Sequence, residues 1–481
     1  MNITSILPDV SLLFLIALIS VYKFIGLNHA KLLLFTFSTG LIISFALLLQ
    51  QFTFNGHFNF LGSLSIDPYG TFLKLLTLFS FAVIYFLIDF DHSKINFNSI
   101  IYYSTLLFSV FILISSSNLL LTFISFEIIS LVYFGITCTG PPKNNVSFYR
   151  SWIISSSLML FGITLFYGMF GSLQYSRISS YLSVYPVNKL TLTIAILMIF
   201  CGFSFKIYVF PLQSVMSNIS DRISIGKSGI ILLTSSLAGI ASLTRLIYTA
   251  FNDAGSFNTS VIIHSLNPVF NWELFLTIIY CLSVLTSAFV LYLQKEIIKI
   301  FLYIFLINLP LTLISCSFNT YTNLSVNILL IIQTVLPYLV LLIINSHFNE
   351  KLSIRELSDL KGIYKTSPVL SIILIISLLS LSGFPLTIGF ISRLYIFSAV
   401  STGYSLIIIA SSIISSMIIL YTVYKMLRLM FSSGTNPVIG RINWVMLSVL
   451  MILSAFPAVI GIYSDPLIYY LNFISYINYY L

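Results

Sequence analysis

Apolar runs of about twenty residues follow one another along almost the whole of this chain, with short polar connections between them. A helix of that length crosses a hydrocarbon core ~30 Å thick. In hydrocarbon only helices and closed barrels satisfy their own backbone, and the strand-like alternation of a barrel is absent. Fourteen helical cores are read from the sequence: 6–26, 30–50, 68–89, 98–115, 118–138, 149–170, 190–217, 226–250, 273–293, 299–317, 324–346, 366–399, 404–427 and 443–463. Only 7% of the 481 residues are charged, against about 25% in an ordinary soluble domain. No separate water-facing domain can be assembled from such a composition. The expected fold is all-α and polytopic, a single transmembrane domain over 1–481 with about fourteen spans. N-terminal helices over 1–115 lead into a first half (98–250), a second half (273–430), and a last helix with its tail (443–481).

The net charge of +9 would suit nucleic acid, but its distribution argues otherwise. Sixteen of the 22 Lys and Arg residues fall in connections after odd-numbered spans, among them Lys23, Lys94, Lys143, Lys227, Lys295, Arg428 and Arg441. Arg177, Lys189 and Arg245 alone are placed on the opposite side, and Lys74, Lys206 and Arg393 lie within spans. This is the positive-inside pattern. It predicts both termini on the outer side and no nucleic-acid partner. The hydrophobic first segment lacks the arginines of a transit peptide and is expected to be a retained span. Cys138, Cys201, Cys281 and Cys316 have no paired spacing and are read as packing residues. His29, His57, His92, His264 and His347 sit in connections or at helix ends. No glycine-rich phosphate loop, cysteine cluster or intramembrane histidine pair suggests a metal or redox cofactor. Forty-three Phe and 29 Tyr with few charges fit an AT-rich organelle genome.

Against this background Glu127 stands out as the one acid inside a hydrophobic stretch, NLLLTFISFEIISLVYFGITC. An ionisable group there marks an ion or proton pathway by default; the alternative is a hydrogen bond to a Ser or Thr on a neighbouring helix. Lys206 lies five residues before Pro211, and Arg393 eight residues after Pro385 in a span that also holds Gly383. Proline removes a backbone donor and clashes with the preceding turn, so both spans should be broken. They are the seventh and the twelfth. An offset of five reverses orientation, which predicts two inverted five-helix repeats, spans 4–8 and 9–13, with an ion site at their breaks. Lys206 suits a relay whose protonation switches, or snorkels to the interface. Arg393 cannot deprotonate and would supply a fixed field or anchor waters. Arg150 is a candidate partner of Glu127 or an interfacial anchor, and Lys299 is read the same way. Lys74 is expected to snorkel.

At these residues the chain resembles the antiporter-like membrane subunits of respiratory complex I, and among them the subunit 2 (bacterial chain N) type. SFEIISLVYF matches through Glu127, Ser130 and Leu131, and FKIYVFP through Lys206 and Pro211. QKEIIKIFLY is similar through Gln294, Lys299 and Tyr303. ELSDLKGIYKTSP followed by SLSGFPLTIGFISRLYIF matches through Gly383, Pro385, Gly389, Phe390 and Tyr395. The sequence departs from the family in several places. LQSVMSNISDRIS follows Pro211 where a His, a Trp and an Asp-Val-Tyr-like run are usual. Ser236 stands near the place of a central lysine, Asn308 at that of a histidine, and Arg393 at that of a lysine. The resemblance implies a proton-translocating membrane-arm subunit of mitochondrial NADH:ubiquinone oxidoreductase, in the mitochondrial inner membrane, with both termini on the intermembrane-space side. Its partners would be the other membrane-arm subunits and membrane lipids, its cargo protons and water. FMN and iron–sulfur clusters would lie elsewhere in the complex, with no cofactor in this chain. Glu127 with Lys206 or Arg150 would form the ion pair whose opening expels a proton, and Arg393 would hold the outlet. Complex I subunit 4, a stand-alone monovalent cation/proton antiporter and a non-conducting scaffold are the alternatives.

Overall fold

The computed structural model describes residues 6–26, 30–53, 58–60, 62–89, 97–138, 146–184, 188–211, 213–220, 223–251, 272–317, 321–352, 355–399, 405–432 and 444–480. Lys94, Lys143, Arg222, Arg441, His29, His57, His92 and His264, named above, lie outside them, as does the side chain of Cys138. Nineteen α-helices are described. In order they are α1 (Leu7–Ile25), α2 (Ala30–Thr53), α3 (Pro68–Ile84), α4 (Phe97–Ser115), α5 (Leu119–Cys138), α6 (Val146–Phe170), α7 (Tyr175–Val184), α8 (Lys189–Ile207), α9 (Gln213–Ser220) and α10 (Ile225–Arg245). They continue with α11 (Trp272–Leu293), α12 (Ile297–Ile314), α13 (Tyr321–Leu352), α14 (Ile363–Thr366), α15 (Pro368–Ser382), α16 (Ile388–Ala399), α17 (Ser405–Phe431), α18 (Trp444–Ile462) and α19 (Asp465–Tyr480). A short antiparallel hairpin, β1 (Phe58–Phe60) and β2 (Leu64–Ile66), precedes α3. Among the described residues thirteen helices are long and apolar enough to span a membrane. The remaining expected span, the twelfth, is present as two shorter apolar pieces, α15 and α16. Short α7 and C-terminal α19 were not read from the sequence.

Three helices make the centre. The α10 segment and α13 are buried on every side, and α12 nearly so, while α1, α2 and α18 lie at the rim. A helix enclosed on all faces has no lipid to meet, so its polar residues carry no exposure cost once they are hydrogen-bonded. Accordingly α10 holds Ser228, Thr234, Ser235, Ser236, Ser242 and Thr244, all buried. Most of these hydroxyls bond the carbonyl three or four residues back, as Ser235 does with Ile231 at 2.7 Å.

Both predicted breaks are present. At the end of α8 the Ser204 carbonyl accepts from the Tyr208 amide and, at 3.0 Å, from Val209. Tyr208 is left-handed (φ 61°), the Phe210–Pro211 peptide is cis, and α9 resumes at Gln213. In the twelfth span Gly383 closes α15 at φ 77°, a conformation costly for any residue with a Cβ. The chain then turns so tightly that a Cβ on Gly389 would lie 1.9 Å from the Ser380 carbonyl oxygen.

The ELSDLKG stretch also has a structural job. Asp359 Oδ2 accepts from the amides of Glu356 (2.9 Å) and Arg355 (3.1 Å). The Glu356 amide, first of these donors, holds its carboxyl below the usual carboxylate range. The turn so formed bonds the start of α12: Ile297 N donates to Arg355 O and Leu357 N to Lys295 O, each at 3.0 Å. Two of the motif stretches therefore touch.

Charge placement corrects one expectation. Lys74 does not snorkel: it is 1% exposed and bonds both carboxylate oxygens of Asp9, at 2.8 and 3.0 Å, below the Phe111 ring. Its place in the first two turns of α3 faces α1 across the bundle, which leaves it no route to an interface. Arg245, inside the eighth expected helical core, ends α10, buried, and pairs with Asp67, the N-cap of α3. Gly389→Ala should cost several kcal/mol and abolish a stable assembly, because it meets backbone. Gly168→Ala, with nothing within 4 Å of the new methyl, should leave the melting temperature within a degree or two. Thermal melts of the two purified variants check both.

Candidate functional site

The seventh-span break sets the first cluster. Lys206 is in the last turn of α8 and its side chain is fully buried, so it does not reach an interface. Its Nζ donates to Glu127 Oε1 and to Ser156 Oγ, both at 3.2 Å. Ser156 in turn donates to the same carboxylate oxygen through a short contact. The ammonium also lies 4.9 Å from the Phe126 ring centre and 4.8 Å from that of Trp152. An ammonium removed from water is costly, and here one carboxylate, one hydroxyl and two aromatic faces replace its hydration. The contributing elements are α5 (Phe126, Glu127), α6 (Trp152, Ser156) and α8.

Close packing of α6 on α8 brings the hydroxyl within reach. A Cβ on Gly202 would sit 2.5 Å from the Met159 Cβ, and one on Gly162 would sit 2.9 Å from the Ala195 carbonyl oxygen. Small residues let helix backbones approach in a membrane. Ser130, the matched residue that follows Glu127 in the SFEIIS stretch, donates to the Glu127 backbone carbonyl at 2.7 Å. The Glu127 side chain remains 36% exposed at the side of the bundle, so the pair is closed toward the protein and open laterally.

The second cluster lies at the twelfth-span break. Arg393 projects from α16 and is 6% exposed. Its guanidinium donates to Ser382 O at 2.6 Å, to Leu381 O at 3.2 Å and to Asn308 Oδ1 at 3.1 Å. Gln333 Nε2 reaches the same Asn308 oxygen at 3.4 Å, and Ser392 Oγ donates to Gln333 Oε1 at 2.7 Å. Among the described residues no carboxylate pairs with Arg393. The carbonyls freed by the Gly383 break, at the negative end of α15, take its place. Gly383 itself lies against the guanidinium, where a Cβ would be 2.7 Å from it.

The structure thus joins Glu127 to Lys206, and Arg393 to Asn308 and Gly383. Pro211 and Pro385 lie in the two breaks. Of the two readings of Arg150, pairing with Glu127 is not seen: Arg150 is exposed, and Lys206 and Ser156 hold Glu127 Oε1. Arg150 precedes Ser156 by six residues on α6, about 9 Å of helix rise, and so lies at another depth. Lys299 pairs with Glu296 one turn back, at 3.1 Å. Glu296, Arg355, Glu356, Asn345 and Asn349 line a polar cleft of about 660 Å³ at that end of the central helices. Ser236 bonds the Leu233 carbonyl of its own helix at 3.2 Å and belongs to neither cluster.

Sequence reasoning missed Trp152, Ser156, Gln333 and Ser392. Trp152 and Ser156 are spaced i,i+4 on one helix face, which is the signal that would have found them. Gln333 is an amide alone in an apolar run and carried the same kind of hint.

Two broken helices with a buried cation at each, in an all-helical bundle, define an antiporter-like membrane subunit. The chain belongs to the family described as NADH:quinone oxidoreductase/Mrp antiporter, TM, which matches residues 116–419. It is 26% identical over 454 residues to NADH-quinone oxidoreductase subunit N 2 of Chloroherpeton thalassium, covering 89% of this chain and 85% of that protein. It is 24% identical over 411 residues to subunit N of Chlorobium chlorochromatii, covering 82% and 78%. Its fold is similar to that of a chain of respiratory complex I from Thermus thermophilus with bound aureothin, with TM-score 0.76, 16% identity, and 96% and 98% of the two chains covered. A chain of the Mrp complex from Dietzia sp. DQ12-45-1b gives TM-score 0.82 at 13% identity, covering 100% and 98%. At these identities the two structural likenesses are ones of fold.

A double-mutant cycle tests the first cluster. Glu127→Gln and Lys206→Met should each lower the melting temperature, and the double variant should recover part of the loss, with a coupling of about 1–3 kcal/mol. Strictly additive losses would mean that the pair is a contact without energetic consequence.

Proposed function

We propose that this chain is a proton-translocating membrane-arm subunit of an NADH:quinone oxidoreductase of the mitochondrial inner membrane, with both termini on the intermembrane-space side. The observation that carries the proposal is the Glu127–Ser156–Lys206 cluster, a titratable base and acid sharing a hydroxyl beside a broken helix. Lysine can lose its proton, carboxylate can gain one, and the serine between them can accept on one side and donate on the other. Parting of the pair would leave Lys206 a buried ammonium with the Ser156 hydroxyl and two ring faces but no counter-charge, a state from which a proton leaves more readily. Arg393 keeps its charge through the cycle and fixes the field of the second half, with Asn308 and Gln333 holding its orientation. The redox chemistry belongs to other subunits, with FMN and iron–sulfur clusters outside this chain. A neighbouring subunit would cover the open side of Glu127, since a carboxylate facing lipid is expensive. The relatives named subunit N support the membership, and the positive-inside bias and the Phe- and Tyr-rich composition support the orientation and the organelle.

A cation/proton antiporter is the second reading, favoured by the shared fold with the Mrp chain. Native mass and NADH oxidation of the solubilised assembly separate the two. Co-migration with NADH-oxidising activity near a megadalton is expected here, whereas an antiporter would work alone in liposomes.

In coupled membrane vesicles Glu127→Gln should assemble, keep uncoupled electron transfer close to wild type, and move fewer protons per electron. Lys206→Met should give the same lowered ratio. Unchanged proton movement in an assembled Glu127→Gln variant would end the proposed role of this pair.

A further inference from the structure

Between the two clusters the chain places one side chain that neither uses. Gln213 is the first residue of α9, immediately after the seventh-span break, and is 5% exposed. Its amide does not bond its own half. Gln213 Nε2 donates to the Ser283 carbonyl of α11 at 2.9 Å, and Gln213 Oε1 accepts from the Thr286 hydroxyl at 2.9 Å. The helix it opens also packs against α12, which carries Asn308, the residue that holds Arg393. A continuous line of packed and bonded groups therefore runs from Lys206, through the four described residues Tyr208 to Pro211 and their unwound turn, to Gln213, then to α11 and α12, and so to Arg393.

The bond at Thr286 has two settings. That hydroxyl has one proton and two further acceptors on its own helix, Leu282 O at 2.6 Å and Ser283 O at 3.2 Å. When the proton turns to Leu282, Gln213 Oε1 loses its donor, and the clamp relaxes from two bonds to one. A buried amide oxygen without a donor is costly, so the two settings differ in energy. Coupling between sites requires an element of this kind, with discrete arrangements that both sites bias.

We propose that Gln213 is a positioning residue that couples the Glu127–Lys206 pair to the Arg393 cluster: its amide clamps the broken end of the seventh span to α11, so that opening of the ion pair and the placement of α11 and α12 change together. The inference rests on the proton-transfer reading of Glu127 and Lys206, and adds to it the contact through which the second half is addressed.

The test uses vesicles holding the whole assembled complex and compares Gln213→Met, Thr286→Val and Gln213→His with Glu127→Gln and the double variant E127Q/Q213M. Methionine keeps the length of Gln213 without its amide, valine removes the Thr286 donor, and neutral histidine offers one N–H and one bare nitrogen. Gln213→Met is expected to assemble, to oxidise NADH at the wild-type rate when uncoupled, and to lower protons per electron toward the Glu127→Gln value. Thr286→Val should act in the same direction by a smaller step, Gln213→His should restore most of the ratio, and the double variant should be no worse than E127Q alone. A normal ratio in Gln213→Met, or fully additive losses in the double variant, would overturn the coupling role. Failure of both Gln213→Met and Thr286→Val to assemble would also overturn it, by assigning the contact to folding. If Glu127→Gln is itself silent, the underlying reading fails instead, and that outcome is seen independently of Gln213.

Discussion

A lysine ammonium with no exposure inside a hydrophobic bundle is the constraint around which the first half is built. Moving such a charge out of water costs several kcal/mol even after relaxation, and only good geometry offsets it. The geometry is assembled from three helices. Tyr208 stops α8 immediately beyond Lys206, so the side chain sits at a helix end where the chain changes direction. Gly202 and Gly162 let α6 come close enough for Ser156 to reach the ammonium, and α5 supplies both the carboxylate and one of the two rings. Each of these features is dispensable to a generic apolar bundle. Together they make sense as the means of keeping one cation dry.

The second half meets the same problem differently. Arg393 has no carboxylate among the described residues and is held by main-chain carbonyls and the amide of Asn308. A guanidinium is delocalised, weakly hydrated and forked, so it can be satisfied by dipoles spread over several directions. An ammonium in the same place would be a poorer match to the broken end of α15. The exchange of base type between the halves therefore has a structural meaning. One half holds a charge that can be lost, and the other holds a charge that stays.

How much of this was legible depended on what each residue does to its own segment. Span positions follow from runs of apolar residues, and the two breaks from Pro211, Gly383 and Pro385, because those are local backbone effects. Glu127, Lys206 and Arg393 stood out because a charge in hydrocarbon needs a reason. Which groups satisfy those charges was hidden, since Ser156, Trp152, Asn308 and Gln333 come from other helices and an isolated polar residue in a span does not declare its partner. Arg150 was a reasonable candidate for Glu127 by proximity in sequence, and helix rise put it at the wrong depth. Lys74 was misjudged, and the pairing of Arg245 was not foreseen, for a related reason. Their partners Asp9 and Asp67 lie near helix starts, where an acid looks like ordinary capping, and packing alone reveals that both pairs are enclosed. Short α7 and the C-terminal α19 mix polar and apolar residues and gave no span-length signal.

Among the described residues three Lys/Arg–carboxylate pairs have a buried cation, and their surroundings sort them. Asp9 is 8% exposed and bonds Lys74 through both oxygens. Asp67 is 15% exposed, caps α3 through the Gly70 amide and holds an arginine that also bonds Ser65. In both, the acid is largely enclosed, and separating the pair would leave Lys74 one ring face, that of Phe111, and Arg245 its bonds to Ser65. Such pairs act as rivets: one fastens α1 to α3, the other fastens the start of α3 to the end of α10. Glu127 is different. Its side chain is 36% exposed, only one of its oxygens is engaged, and its lysine keeps a hydroxyl and two ring faces when the carboxylate leaves. The cost of parting is lowest where the cation retains substitutes and the anion has somewhere to go. Of these three pairs, the one at the seventh-span break joins the most exposed acid to a cation that also touches a hydroxyl and two rings, and its cation ends a broken helix.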